Sequence, residues 1–142
     1  MLTSSRNKFK GTVKSVKKGA VNDEIVIKLS GGTEITAIIT NTSTQNLGLK
    51  EGVEAIALVK ASWVILAADL DGIKLSARNQ FKGKVKEIKH GAVNDEVIVE
   101  LDGGDEVVAV ITVESTKNLG LEKGKPVTAL IKASHILVGA AA

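Results

Sequence analysis

The feature that most constrains this chain is that it is written twice. Sliding the 142 residues along themselves by 72 positions lays residues 4–66 over 76–138 without a gap. Of the 63 pairs, 34 are identical and ten more exchange only Val, Ile and Leu, which marks a duplication rather than chance. SRNKFKGTVKSVKKGAVNDE from Ser5 lies over ARNQFKGKVKEIKHGAVNDE from Ala77, and LVKASWVIL lies over LIKASHILV. Whatever one half folds into, the other must fold into as well. The stretch AADLDGIKL between them is short and carries Asp71-Gly72 as a turn signal. Two tightly joined domains are expected, 1–70 and 71–142.

Each half reads as mostly β. After Arg6, Phe9, Val13 and Val16 are interleaved with lysines, the pattern of a strand with one wet face. IVIKL (25–29), SGGT and EITAIIT form a hairpin in which Gly31-Gly32 supplies positive φ at the turn, and VIVEL-DGGD-EVVAVIT repeats it. In TSTQNLGL, Thr42 or Ser43 is expected to cap a helical turn that Gly48 ends. VEAIALVK and WVIL then read as two strands with a corner at Ala61-Ser62. Five short strands and one helical turn in about 65 residues predict an all-β fold of two tandem OB-like, small Greek-key β-barrels. No helix is long enough to be the crossover of a parallel α/β sheet. Val and Ile stand on both faces of some strands, more than one small barrel buries, so packing against other copies is expected.

The apolar fraction of 44% and charged fraction of 25% fit a globular chain. Cysteine is absent, which removes disulfides and thiolate chemistry. No apolar run approaches the roughly 20 residues of a membrane span, and MLTSSRNKFKG lacks the apolar core of a secretory signal. A cytoplasmic protein with no membrane partner is expected. The net charge of +3 arises in the first 70 residues, with nine Lys/Arg against six Asp/Glu, while the remainder balances at ten against ten. That permits anionic partners without requiring nucleic acid.

Catalytic candidates are few. His90 and His135 fall opposite Lys18 and Trp63, so neither belongs to a duplicated site and each reads as a surface or packing residue. Asp23-Glu24 and Asp95-Glu96 are adjacent, so in a strand they point to opposite faces and cannot form an acid/base pair. They are expected to be solvated charges beside a turn. No G-x-S-x-G, H-E-x-x-H or Walker A motif occurs, and no enzyme is expected.

What both halves share is a set of donors suited to an oxyanion. Ser4, Arg6 and Asn7 match Ser76, Arg78 and Asn79; Thr40 and Ser43 match Thr112 and Ser115; Lys60, Ala61 and Ser62 match Lys132, Ala133 and Ser134. Gly19-Ala20-Val21-Asn22 and Gly91-Ala92-Val93-Asn94 add small-residue turns whose N–H groups can converge. Arginine forks, hydroxyls and backbone N–H groups suit a fully deprotonated tetrahedral dianion, which only accepts hydrogen bonds. Taken singly, Ser, Thr and Asn at turns are usually there for the turn.

SARNQFKGKVKEIKHGAVNDEVIVEL, AVITVESTKNLGLEKG and LIKASHILV resemble the successive blocks of the molbindin, or Mop-domain, family, and the first half resembles them through SSRNKFKG and LVKASWVIL. The resemblance covers the whole chain as a tandem, di-Mop member. It implies OB-like barrels that bind molybdate, and often tungstate, as an oxyanion with no direct protein–metal ligand and no organic cofactor. It implies cytoplasmic molybdenum storage and homeostasis, and a homo-oligomer in which three two-domain chains close a hexameric arrangement of domains. It further implies inter-domain sites at Ser4, Arg6, Thr40, Ser43, Lys60 and Ala61 and their counterparts, with SxRN of one domain and KAS of another meeting one anion. A second class near a three-fold axis would use the Gly-Ala-Val-Asn turns. The rivals are an OB module binding nucleic acid along Lys8, Lys10, Lys14, Lys17 and Lys18, and a ligand-free oligomerisation module. Nucleic acid is disfavoured because Phe9, Phe81 and Trp63 are the only aromatics available for base stacking.

Overall fold

The computed structural model describes residues 2–141. Its strands are β1 (Asn7–Lys18), β2 (Asn22–Leu29), β3 (Glu34–Thr40), β4 (Glu54–Val59), β5 (Ile65–Ala67), β6 (Asn79–Lys89), β7 (Asn94–Leu101), β8 (Glu106–Thr112), β9 (Pro126–Ile131) and β10 (Leu137–Gly139). Helices α1 (Asn41–Leu47) and α2 (Val113–Asn118) follow β3 and β8, and 3-10 turns occupy Ala61–Trp63 and Ala133–His135. The fold is all-β, in two curled five-stranded antiparallel sheets that form OB-like half-barrels.

The strand order is β10-β4-β1-β2-β3 in one sheet and β5-β9-β6-β7-β8 in the other. Each sheet therefore takes its short edge strand from the other repeat. Leu137, Val138 and Gly139 pair with Leu58, Ala57 and Ile56, while Ile65, Leu66 and Ala67 pair with Leu130, Ala129 and Thr128. The chain accordingly divides into one unit that ends at Val59 and resumes at Lys132, and a second, Lys60–Ile131.

Curling has a local cause. The β1–β2 register shifts between Val13 and Ser15, and the β6–β7 register between Val85 and Glu87, so an extra lysine bulges each long strand. Beside the bulge, Gly11 and Gly83 pass close to the neighbouring strand: a Cβ would meet the Lys28 or Glu100 carbonyl oxygen at 2.4 or 2.3 Å. Only glycine fits there.

Inside the curl, Val13, Ile25, Ile27, Ile35 and Ala37 are fully buried, as are Val85, Val97, Val99, Val107 and Ala109. Three isoleucines thus become valines in the second repeat. Buried Ala55 and Val59 become Val127 and Ile131, returning the same number of carbon atoms. Volume is conserved across the core even though the residues are not.

Two local expectations are corrected. The caps of α1 and α2 are Thr40 and Thr112, not Thr42 or Ser43: each has extended backbone, and its Oγ accepts from the N–H of Ser43 or Ser115. In the hairpin turns the positive φ belongs to Gly32 and Gly104, not to the glycine before them.

Candidate functional site

The GAVNDE turns join β1 to β2 and β6 to β7. Gly19 is fixed by close approach, since a Cβ would lie 2.4 Å from the Asn22 carbonyl oxygen, and Gly91 faces Asn94 at 2.3 Å. The aspartates are not solvated. Asp23 and Asp95 are 2% and 1% exposed. They share strand parity with Ile25 and Val97, so the side chain enters under the turn. Asp23 Oδ1 accepts from Gly19 N at 3.3 Å and from the Asn41 side-chain amide; Asp95 Oδ1 accepts from Gly91 N at 3.2 Å and lies 3.3 Å from His90 Nδ1.

Both carboxyls are held below the usual aspartate range. For Asp23 the Thr44 hydroxyl contributes most, with the Gly19 N–H, the Asn41 amide and the Lys18 charge, against the opposing effect of burial. For Asp95 the Thr116 hydroxyl leads, with Gly91 N–H and His90, again against burial. Thr44 and Thr116 are themselves buried and also reach the Thr40 and Thr112 carbonyls at 3.2 and 3.3 Å. In the first repeat the carboxylate thus ties the turn to the start of α1 through the Asn41 amide, whereas Asp95 Oδ2 is buried without a hydrogen-bond partner among the described residues. Strand parity was the sequence signal for this burial.

With Gly and Asp explained by the turn, Ala20, Val21 and Asn22 and their counterparts Ala92, Val93 and Asn94 remain at the surface. Val21 and Val93 are 70% and 72% exposed. Their carbonyls are taken, accepting from Asn41 N and Val113 N at 2.9 Å.

At the helix starts, Thr40 Oγ1 donates to Ser43 Oγ at 2.9 Å and Thr112 Oγ1 to Ser115 Oγ at 2.8 Å. Thr40 and Thr112 are exposed and the two serines half-buried. Beside Ser43 opens a cleft of ≈ 260 Å³ lined by Ile39, Asn46, Leu47, Leu137 and Val138. In the first unit the Ala133–His135 turn packs against β3, whose last residue is Thr40; in the second, Ala61–Trp63 packs against β8, whose last residue is Thr112. Strand exchange therefore brings Lys132, Ala133 and Ser134 into the unit of Thr40 and Ser43, and Lys60, Ala61 and Ser62 into that of Thr112 and Ser115. Ala61 and Ala133 are buried, while the flanking Lys60, Ser62, Lys132 and Ser134 are exposed.

Ser4, Arg6, Ser76 and Arg78 are exposed just before β1 and β6. Asn7 and Asn79, 1% exposed, open β1 and β6 in register with Val59 and Ile131. Among the described residues no group of three or more His, Asp or Glu is placed to hold a bare metal ion.

The TOBE-domain model matches twice, at residues 3–66 and 75–138. The chain belongs to the TOBE-domain family, as a tandem di-Mop molbindin. This molbindin is 47% identical to the cytoplasmic molybdate-binding protein ModG, whose crystal structure with molybdate bound superposes at a TM-score of 0.95, covering 99% of this chain and 100% of that one. It is 46% identical to the molybdenum-pterin-binding protein MopA of Rhodobacter capsulatus, over 97% of this chain and 52% of MopA. It is 43% identical to the molybdenum transport protein ModE of Azotobacter vinelandii, over 97% of this chain and 51% of ModE. The molbindin spans about half the length of the curated relatives it matches. Among its described residues no helix is long and apolar enough to cross a membrane.

Proposed function

We propose that this molbindin binds molybdate, and tungstate as an equivalent dianion of nearly equal size, and serves molybdenum storage and homeostasis in the cytoplasm. The observation that carries the reading is the duplicated donor set: hydroxyl pairs at Thr40/Ser43 and Thr112/Ser115, each in a unit with a Lys-Ala-Ser turn. Such a set offers hydroxyl and ammonium hydrogens to an anion, which suits a dianion that only accepts hydrogen bonds. The likeness to ModG, a molybdate-binding protein, supports the same ligand.

In this reading Ser4, Arg6, Lys60 and Ala61, with Ser76, Arg78, Lys132 and Ala133, join the hydroxyls in sites completed between Mop domains of an oligomer. The Ala20–Asn22 and Ala92–Asn94 turns line a second class near a symmetry axis. Residues 1–70 and 71–142 are the duplicated Mop domains, and three chains form the closed assembly. Exposed Val21, Val93, Ile65 and Leu137 are the apolar surface such an assembly would cover. The protein binds and releases its anion without catalysis or an organic cofactor, and nucleic acid is not its partner. The test is the double variant Arg6→Ala, Arg78→Ala, examined by calorimetry with molybdate and by light scattering. Binding lost with the oligomer intact is expected; full affinity in the variant would contradict the assignment.

A further inference from the structure

The lysines of the two Lys-Ala-Ser turns have the same backbone angles. Lys60 has φ −68° and ψ 130°, and Lys132 has φ −68° and ψ 131°. Each is followed by a 3-10 turn closed by the N–H of the third residue onward, Trp63 N or His135 N donating to the lysine carbonyl at 2.9 Å. The lysines differ in what that third residue offers the ammonium. Lys60 Nζ lies over the Trp63 ring, 5.8 Å from its centroid. In the other turn the ring is the imidazole of His135, a poorer seat for a cation.

Resting on the oxyanion reading above, we propose that Trp63 is a positioning residue for Lys60, which makes the anion site served by Lys60 tighter than the one served by Lys132. A free lysine must give up most of its rotamer freedom when it closes on an anion. An ammonium already seated on an indole face has given up part of that freedom beforehand, so less is lost on binding. The matching lysine angles and the matching 3-10 hydrogen bond leave the ring that follows Ser62 or Ser134 as the chief difference between the two turns. The chain therefore carries two unequal classes of site from two nearly identical halves.

Trp63 is the only tryptophan, so its emission reports on the Lys60 class alone. The wild-type chain is titrated with molybdate, following emission and heat in parallel. The expected emission change saturates at lower molybdate than the total heat and disappears in Lys60→Met. Trp63→His, which copies the second turn, is expected to weaken the tight class by about two- to five-fold and merge the classes. Trp63→Phe keeps a ring face and stays closer to wild type. His135→Trp is expected to tighten the Lys132 class, and it tests the idea even where Trp63→His folds poorly. A wild-type isotherm left unchanged by both Trp63→His and His135→Trp would overturn the proposal while leaving molybdate binding standing. So would a loss in Trp63→Phe as large as in Trp63→His. Absence of any molybdate binding by the wild type would overturn the proposal together with the reading beneath it.

Discussion

The turn of the first repeat and the turn of the second carry the same six residues, but the buried aspartate in each has different company. Asp23 is served by the Asn41 amide with Lys18 nearby; at the matching positions the second repeat has Val113 and His90, and His90 approaches Asp95 instead. The amide donor lost from the helix is replaced by an imidazole just past the end of β6. What both turns keep is the glycine that clears a carbonyl, the Gly N–H bonded to Asp, and the buried threonine. The repeats diverge where a partner can be exchanged and stay fixed where the backbone leaves no room.

Gly19→Ala and Gly91→Ala should therefore have the largest effects, and similar ones, because a methyl group would press on a backbone oxygen in each turn. We expect a cost of about 1–3 kcal/mol per substitution in urea unfolding. A clear inequality between the two would show that the turns are not equivalent after all.

Acid should separate Asp23 and Asp95 from the rest of the carboxylates. Their folded pKa values are lowered, so the stability they contribute is complete above the ordinary aspartate value of about 4 and is lost as pH falls through the folded value. Melting temperatures measured from pH 7 down to 3 should fall steeply at the acid end. In Asp23→Asn, Asp95→Asn the same limb should be shallower, because the unfolded chain no longer out-competes the folded one for those protons. An unchanged limb would mean other groups set it.

The smallest expected effect comes from exchanging the companions. Asn41→Val alone should lower the melting temperature by a few degrees, since a buried carboxylate loses a donor. Adding Lys18→His, which rebuilds the second repeat's arrangement, should recover part of that loss. Strict additivity of the two changes would break the idea that His90 and Asn41 do the same job.

Much of the fold was legible because duplication and alternation are short-range signals. IVIKL-SGGT-EITAIIT declares its own hairpin, and Gly32 takes the required positive φ. Strand exchange was not legible for a physical reason. WVIL and HILV present nearly the same pattern to β4 and β9, so neither propensity nor hydrophobicity distinguishes the two pairings. The proposed donor residues are readable as a repeated set, since both halves carry them. Their grouping is not, because it depends on that exchange. Asp23 was misjudged as solvated although Asp23, Ile25, Ile27 and Leu29 share one parity and all are buried. The helix caps were misplaced by two or three residues, because Thr40 ends a strand and caps a helix at once.

Molybdate binding is tested most simply by a calorimetric titration of the desalted protein, repeated in excess sulfate and in excess phosphate. Saturable binding that survives both competitors, with more than one ion per chain, is expected. No heat, or binding erased by sulfate, would contradict it and leave a duplicated barrel whose shared donors serve the fold alone.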